Sequence, residues 1–470
     1  MESRLRRSRD RHGSHSRRLP AAPAPDDPGF RERTQGLTAY RHQERQTHMK
    51  AIRVAVIASA LASLVTVAAC GSSGNGGSAD GPPKGELRIA VPTSQGPATT
   101  AVAEAFEKKY PDVDVKVSTA NTDQYQQTTR TQLASGTAPD AFYVWSGSGN
   151  VMSVDTLAPQ RVLADLSGES WVAKIPKAQA YLTQQDGKTY ILPVIYGAIG
   201  AIYNQAAFDK AGVKVPQTWP ELLAACDKFK AAGIVPMALG LQTPANGQFI
   251  DYSLVATLVY GKTPDFADQM KDGKVKFADS GWKDAMTKYL QLKDRGCFQD
   301  NPNGTPADAA LRMVSTGKAA MSVQVNSSLP QVQTAAPDSK FGLFALPGSD
   351  QADQVRLPVA LTGTFGMSAK AKNPAAAKAF LDFLAANQSI YAAKVSTIPT
   401  DPAQVPQEKT PALDTVSTFV AKSRTAPYPD QTWPNAEVQQ AHLKVVQELF
   451  AGTKTVPAAL AAMQSAFDKG

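Results

Sequence analysis

Histidine and cysteine, the side chains that most often act as bases, nucleophiles and metal ligands, are scarce in this chain of 470 residues. Four of the five histidines fall within the first 48 residues, so His442 is the only histidine in the rest of the chain. A single histidine argues against a serine–histidine–aspartate triad and against a histidine-rich zinc site. We therefore expect neither a metal site nor a cofactor.

Small polar and aromatic side chains follow two predicted strands, where they can bond to a solute or pack on it. The strands are the alternating segment "ELRIAV" and the segment "AFYV". Six side chains come shortly after them: Thr93, Ser94, Gln95, Trp145, Ser146 and Ser148. Ligands of open α/β sheets bind beyond the carboxyl ends of the strands, so these side chains are predicted to share one rim.

The elements that must build this rim alternate along the chain. The strand "GELRIAVP" is followed by the helical "ATTAVAEAFEKKYP", the strand "DVDVKVST", a second helical segment and the strand "AFYVWSG". A second set of strands and helices begins near residue 198. This alternation predicts α/β units around a largely parallel sheet. The chain is also too long for one core, so we expect two or more domains.

The basic excess of the chain belongs to its amino-terminal leader. Residues 1–69 hold 13 of the 49 Lys and Arg residues and 6 of the 41 Asp and Glu residues, so the remainder is nearly neutral. A nucleic-acid-binding surface needs Lys and Arg clustered on a folded domain. No such cluster follows the leader, and we expect no nucleic-acid partner.

The leader itself has two parts. Residues 1–48 are rich in Arg, Pro and His, which predicts disorder; they are either a cytoplasmic extension or sequence upstream of a true start at Met49. Residues 49–69 begin with a short positive region and continue into an apolar stretch shorter than the roughly 20 residues of a membrane span. This pattern predicts a secretory signal peptide.

The segment Val67-Ala68-Ala69-Cys70 resembles the lipobox of bacterial lipoproteins. The resemblance implies a diacylglycerol on the Cys70 sulfur and cleavage of the chain before Cys70. Residues 70–85 are rich in Gly and Ser and are predicted to form a flexible tether. The protein is then expected at the outer face of the cell membrane, anchored through Cys70. The alternative is an uncleaved signal anchor with an incidental cysteine.

Two further cysteines lie in the exported part of the chain. Cys226 falls in the helical "PELLAACDKFKAAG" and Cys297 follows the helical "GWKDAMTKYLQLKDRG". An even number of cysteines outside the cell permits a disulfide. Two buried free thiols are the alternative.

Five segments come in a characteristic order along the chain: "SGTAPDAFYVW", "YNQAAFDKAGVKVPQTW", "TGKAAMSVQVN", "LFALPG" and "AKAKNPAAAKAFLDFLA". Together they resemble the family 1 extracellular solute-binding proteins, the lipid-anchored or periplasmic receptors of ABC importers, of which maltose-binding protein is a member. The resemblance covers roughly residues 86–470. It implies a monomeric receptor that delivers a solute to ABC permease subunits in the membrane.

The resemblance also implies the fold, a two-lobe α/β periplasmic-binding-protein architecture of type II. Each lobe is discontinuous in sequence, and strands that cross between the lobes form the hinge. Carried over to this chain, lobe one comprises residues 86–194 and 353–397, and lobe two comprises residues 196–347 and 399–470. The crossings are expected near 193–196, 347–356 and 398–401.

The resemblance further implies which side chains meet the solute. Trp145 matches a ring-stacking position of lobe one and Trp433 an aromatic contact of lobe two, since aromatic rings pack on the C–H faces of sugars. The other candidates lie at a crossing or after a strand: Tyr196, Phe249, Gln242, Asn326, Thr93, Ser94 and Phe365. Asn326 stands where relatives often place an aromatic ring. Each of these side chains has packing as its alternative role.

We expect the solute to be a sugar or small oligosaccharide. The aromatic content of 7% argues against a long aromatic-lined groove. Polyols and other polar metabolites are the alternative ligands, and a sensor role is an alternative to import. A glycoside hydrolase would need a pair of carboxylates, and no acidic pair stands out, so we do not expect an enzyme.

Overall fold

The computed structural model describes residues 82–470. The leader at 1–48, the signal peptide at 49–69, Cys70 and most of the tether at 70–85 lie outside the described residues. Within the described part of the chain, no helix combines the length and the apolar character needed to cross a membrane.

Thirteen strands occur in the described residues, and they are numbered here in chain order. Their bounds are β1 Gly85–Pro92, β2 Val113–Ala120, β3 Ala141–Tyr143, β4 Gln184–Gln185, β5 Lys188–Thr189, β6 Ile191–Leu192, β7 Ile195–Asn204, β8 Val235–Met237, β9 Ala319–Val325, β10 Phe341–Phe344, β11 Leu357–Thr362, β12 Phe365–Met367 and β13 Thr425–Ala426.

Fifteen α-helices accompany these strands within residues 82–470. Their bounds are α1 Gly96–Lys109, α2 Thr122–Ser135, α3 Val154–Leu157, α4 Gln205–Ala211, α5 Trp219–Ala231, α6 Gln248–Val255, α7 Phe266–Lys271, α8 Gly281–Asp294, α9 Ala307–Ser315, α10 Leu329–Ala335, α11 Pro374–Ala386, α12 Gln388–Lys394, α13 Pro411–Ala421, α14 Ala436–Phe450 and α15 Val456–Phe467.

The first sheet has the strand order β2-β1-β3-β12-β6. Three of its strands are parallel, because β1 pairs in parallel with β2 along its whole length and with β3 at its carboxyl half. β12 pairs antiparallel with β3, and β6 pairs antiparallel with β12 at the edge of the sheet. We call the part of the molecule built on this sheet lobe one. The predicted α/β class is confirmed.

Helices cover the first sheet because their apolar spacing matches a helix. Val102 and Phe106 on α1 are fully buried, and the Phe106 ring meets the Phe380 ring of α11 edge-on at 5.5 Å between centroids. Asn121 caps the start of α2, because its side-chain oxygen accepts a hydrogen bond from the Gln124 amide at 3.0 Å. The helix ends at Gly136, whose positive φ of 71° suits a residue without a side chain.

The second sheet is organised around β7, a strand of ten residues. β9 pairs antiparallel along one side of it, while β11 and β10 share the other side, β11 at the first half of β7 and β10 at the second half. β8 extends the sheet beyond β9, and β13 extends it beyond β11. We call the part built on this sheet lobe two.

The chain crosses between the two sheets at short segments. Residues 193–194 join β6 of the first sheet to β7 of the second, and residues 363–364 join β11 to β12. The third crossing lies beside the first, since the Thr400 amide donates to the Val194 carbonyl at 2.9 Å. The second crossing differs from the predicted position of 347–356, because β11 pairs with β7 before the chain returns to lobe one.

A disulfide joins Cys226 and Cys297. Cys226 lies on α5 and Cys297 follows α8, and both residues are fully buried in the core of lobe two. The bond ties two helices of one lobe together and does not cross between the lobes.

Candidate functional site

A cavity of about 80 Å³ lies between the two lobes. Lobe one contributes residues that follow β1 and β3, namely Ser94, Gln95, Trp145 and Ser146, together with Tyr143 at the end of β3. Lobe two contributes Gln248, Phe249 and Tyr252 from α6, Ser327 after β9, and Tyr428, Asp430 and Gln431 before α14. Ligand pockets commonly hold about 300–1,000 Å³, so this cavity is small. Hydrogen bonds between the lobes, such as the one from the Gly149 amide to the Asp430 carbonyl, show that the lobes are closed on each other here.

Gln95 reaches from lobe one to lobe two at the wall of this cavity. Its Nε2 donates to the Ser327 hydroxyl at 3.1 Å, while its Oε1 accepts a hydrogen bond from the Tyr391 hydroxyl at 2.5 Å. Gln95 follows β1 directly and is 5% exposed. Tyr391 therefore holds the amide in the orientation that reaches lobe two.

Asp430 is the only charged side chain among the described residues that line the cavity. It is 6% exposed. Its Oδ2 accepts a hydrogen bond from Gln439 Nε2 at 2.9 Å, and its Oδ1 has no hydrogen-bond partner among the described residues. Burial raises the pKa of Asp430 to about 7, and hydrogen bonds from backbone amides and from Gln439 only partly offset this.

Aromatic rings make up much of the remaining wall. The rings of Tyr143 and Trp145 meet edge-on at 4.6 Å between centroids, and those of Tyr252 and Tyr428 lie 6.3 Å apart. The hydroxyls of Tyr252 and Tyr428 are buried and have no hydrogen-bond partner among the described residues. The cavity thus combines flat apolar surfaces with unused polar atoms, which is the combination that a polar solute with C–H faces requires.

The loop of residues 145–150, "WSGSGN", closes the lobes through its backbone, and we call it the glycine loop. The Gly149 amide donates to the Asp430 carbonyl at 2.9 Å. A Cβ atom on Gly149 would lie 2.1 Å from that carbonyl oxygen, and one on Gly147 would lie 2.2 Å from the Gln431 carbonyl oxygen. Only glycine permits so close an approach at these two positions.

Side chains of the same loop add polar contacts between the lobes. Gln431 Nε2 donates to the Ser146 hydroxyl at 2.5 Å, and Asn150 Nδ2 donates to Gln439 Oε1 at 2.8 Å. The Ser148 hydroxyl donates to the Trp433 carbonyl. Gln439 also holds Asp430, so the glycine loop and the buried carboxyl group share one hydrogen-bond network.

The structure places the residues predicted from sequence in three different settings. Ser94, Trp145, Phe249 and Asn326 line the cavity. Three others lie outside its lining: Gln242 and Thr93 are exposed, and Tyr196 is half-buried at the first crossing. Two are buried in the hydrophobic cores, Trp433 in lobe two and Phe365 in lobe one, each with no exposed surface.

Asn326 lines the cavity but uses its side chain to join β7 to Val395, shortly before the third crossing. Its Oδ1 accepts a hydrogen bond from the Ala198 amide of β7 at 2.8 Å, and its Nδ2 donates to the Val395 carbonyl at 2.6 Å. Both atoms of the amide are therefore occupied within the protein. In the closed arrangement, Asn326 therefore has a structural role near the hinge.

Several lining residues were not singled out from the sequence as ligand contacts. Gln95 and Ser146 fall at the rim that the strand pattern predicts. Asp430 and Gln431 precede Trp433 in "YPDQTWPN", the segment from which the family resemblance points to Trp433; in the structure Asp430 and Gln431 line the cavity and Trp433 does not. No pattern marks Gln248 or Tyr252, because only the packing of α6 against the cleft turns them toward the cavity.

His442 lies in the core of lobe two, outside the cavity lining. Its Nε2 and the Asp251 carboxyl are 2.9 Å apart, and both side chains have no exposed surface. The imidazole ring stacks on Tyr252 at 5.7 Å between centroids. No solute can reach this pair in the closed arrangement. Among the described residues, no group of three or more His, Cys, Asp or Glu side chains is placed to hold a metal ion.

The sequence matches the family described as bacterial extracellular solute-binding protein over residues 90–390, which is more than half of the chain. The chain belongs to this family. The predicted family is therefore confirmed, and the two-lobed arrangement with a cavity between the lobes is the arrangement of a solute-binding protein.

Curated relatives of this solute-binding protein are similar over most of its described part. A protein of Brucella abortus (strain 2308), named as a binding protein, is 27% identical over 316 residues, which cover 64% of this chain and 72% of the relative. The multiple sugar-binding protein of Streptococcus mutans is 22% identical over 285 residues, which cover 60% of this chain and 66% of the relative.

Solved structures of solute-binding proteins share the fold. The GacH receptor of Streptomyces glaucescens, solved unliganded and with acarbose, superposes with a TM-score of 0.65 at 20% identity. The match covers 82% of this chain and 98% of the receptor. This solute-binding protein thus has the type II periplasmic-binding-protein fold, with two lobes.

Proposed function

We propose that this solute-binding protein captures a sugar or a similarly polar small solute between its lobes and delivers it to an ABC permease. The observation that carries the proposal is the cavity, which both lobes line with aromatic rings and with polar atoms that lack partners in the protein. Names of relatives agree with it, since one of them is called a multiple sugar-binding protein.

Closure of the lobes is the proposed means of capture. Two separated lobes would expose the lining residues of each, and a solute that contacts both favours the closed form through its differential affinity. The permease is then proposed to recognise the closed shape. Among the described lining residues there is a single carboxylate, Asp430, whereas a glycoside hydrolase uses a pair. The cavity therefore favours binding over hydrolysis.

A thermal-shift screen of the full-length protein against sugars and polyols tests the capture step. A solute at about 100 times its dissociation constant adds roughly 2.7 kcal/mol of stability, so a true ligand raises the melting temperature clearly. Trp145→Ala removes a ring from the cavity and should reduce that rise. Tyr181→Ala is the matched control, because Tyr181 is 59% exposed and is not a lining residue.

The screen contradicts the proposal if no sugar or polyol stabilises the wild type. It also contradicts the proposed site if a sugar stabilises the wild type, Trp145→Ala and Tyr181→Ala equally. Uptake of that sugar by cells, measured with and without the gene, then distinguishes import from a sensor role. A sensor would leave uptake unchanged.

We also propose that Cys70 carries the lipid that holds the protein at the outer face of the membrane. The support is the sequence alone, since Cys70 lies outside the described residues. Cells fed radioactive palmitate should label the wild type and the control variant Ser72→Ala, and both should sediment with membranes. Cys70→Ser should be unlabelled. Equal labelling of Cys70→Ser and the wild type would refute the anchor.

A further inference from the structure

The cavity carries one formal charge and no countercharge. No Lys, Arg or His occurs among its described lining residues, and Asp430 is the only acid. Asp430 is nine-tenths buried, and its Oδ1 accepts no hydrogen bond from any described residue. A buried ionised carboxylate without a cation is costly, so the free oxygen is a place where a positively charged group of a ligand would be stabilised.

The rings around Asp430 favour the same kind of group. Tyr143, Trp145, Phe249, Tyr252 and Tyr428 all line the cavity. The faces of aromatic rings are electron-rich and attract cations, and the attraction grows when water is excluded. Above about pH 7, where Asp430 ionises, a neutral hydroxyl would satisfy the hydrogen-bonding capacity of Oδ1 but would leave the charge of the carboxylate uncompensated.

We propose that the solute carries a protonated amino group that binds Asp430 Oδ1, and that it belongs to the amino sugars. This inference rests on the proposed capture of a sugar-like solute and narrows its class. The ammonium group donates hydrogen bonds to Oδ1, while the hydroxyls of the sugar bond to the polar side chains of the cavity. The hydroxyls of Tyr252 and Tyr428 are available for this purpose.

The protonation state of Asp430 then changes when the amine binds. The titratable groups that face Asp430 are Tyr252 on α6, Tyr260 in the π-helical segment Ala256–Tyr260 after it, Tyr428 on its own segment and Tyr143 on β3, and the Asp430 charge raises the pKa of each of them. Burial raises the pKa of each of these hydroxyls, so all four stay neutral. Burial also raises the pKa of Asp430 to about 7. Below that pH the free protein holds a neutral carboxylic acid, and an ammonium group must displace its proton to solvent.

Calorimetry on the full-length protein tests this inference with matched solutes. Glucosamine, galactosamine and mannosamine are each compared with the parent hexose and with the N-acetylated form, which keeps the nitrogen but not its charge. At least one amine should bind about tenfold more tightly than both partners, a difference that corresponds to about 1.4 kcal/mol. Repeating the titration in buffers of different ionisation enthalpy at about pH 6 should show release of up to one proton. At about pH 8, where Asp430 is already ionised and the free amino sugar is partly deprotonated, it should show no release and instead a fractional uptake of protons.

Asp430→Asn provides the matched variant, with Asp300→Asn as its control because Asp300 is exposed and does not line the cavity. Asp430→Asn should lose the preference for the amine and the proton release, and Asp300→Asn should keep both. If Asp430→Asn folds poorly, the proton release measured on the wild type still tests the inference.

Two other outcomes overturn the inference. They differ in whether the proposed capture of a sugar still holds. If a parent hexose binds as tightly as its amine, and Asp430→Asn changes neither affinity, the solute is neutral. The proposed capture of a sugar then still holds. If neither the amines nor the hexoses bind while another sugar of the thermal-shift screen stabilises the protein, the inference fails and the proposed capture of a sugar holds; if no sugar or polyol of the screen binds either, both fail.

Discussion

Asp430 combines three properties that rarely occur together: burial, a free carboxyl oxygen and a position on a cavity wall. Burial raises its pKa from the ordinary range of an aspartic acid, about 4, to about 7 in the folded protein. Because the folded-state pKa exceeds the unfolded value, its contribution to stability is fully present below about pH 4 and is lost as the pH rises through about 7. Above neutral pH the ionised carboxylate therefore lowers the free energy of unfolding of the ligand-free protein.

Asp430→Asn should stabilise the ligand-free protein at high pH. The amide oxygen can still accept the hydrogen bond from Gln439, while the cost of ionisation disappears. The gain is on the order of 4 kcal/mol at most above about pH 8 and vanishes below about pH 4. Urea unfolding across this pH range measures it. A stability difference from wild type that is independent of pH would show that Asp430 titrates normally.

The Asp251–His442 pair has a structural role at the residue scale. Burial raises the pKa of Asp251, and the contact with His442 opposes that effect. His442→Phe keeps a ring against Tyr252 but leaves the Asp251 carboxyl without its partner in the core. Breaking a buried pair in this way costs about 3–5 kcal/mol.

Denaturant unfolding of His442→Phe alone and of His442→Phe with Asp251→Leu measures that cost. The double variant should recover part of the lost stability, because it removes the unpaired polar group. Equal losses in the two variants would mean that packing, and not the polar pair, explains the effect.

At the scale of elements, the disulfide constrains lobe two. Cys226 and Cys297 are 71 positions apart, and a loop of this length predicts about 4 kcal/mol of stabilisation from chain entropy. Replacing both cysteines by alanine should lower the free energy of unfolding by about 2–5 kcal/mol.

The same unfolding experiment with a reductant provides the control for the disulfide. Reduction should destabilise the wild type and leave the double alanine variant unchanged. If reductant does not change the free energy of unfolding of the wild type, measured after full unfolding and refolding, the disulfide does not contribute to stability.

The local sequence pattern predicts the strands and helices of the first α/β units. It does not predict strands whose pairing partners are distant in sequence. β9 coincides with "AAMSVQV", which lies in one of the segments that carry the family resemblance, and Thr218, directly before Trp219 and Pro220, caps α5. β11 was not predicted, because Pro358 lacks an amide hydrogen and is unusual in strands. In the structure Pro358 pairs only with β13 at the edge, and the residues after it pair with β7.

At the scale of the whole molecule, the glycine loop controls how closely the lobes approach. Gly149→Ala should prevent full closure, because its methyl group would lie 2.1 Å from the Asp430 carbonyl oxygen. Neither lobe loses a contact of its own core, so the fold should be kept. Gly168→Ala is the control, since a Cβ there meets nothing within 4 Å.

Small-angle X-ray scattering and ligand titration measure this effect. Gly149→Ala should show a larger radius of gyration than the wild type and weaker binding of any solute found in the screen, because the closed form becomes less populated. Gly168→Ala should match the wild type in both measurements. An unchanged radius and affinity for Gly149→Ala would show that the loop adapts without opening the lobes.

The sequence by itself determined the α/β alternation, the family and the strand ends that can face a ligand, because these depend on local periodicity and on short motifs. Only the tertiary structure decided which side chains meet. Ser146 and Gln431 are 285 positions apart yet are joined by a hydrogen bond across the lobes. Trp433 and Asp430 are three positions apart, yet one is in the core and the other is in the cavity. Such differences depend on how whole lobes pack, and no local pattern encodes them.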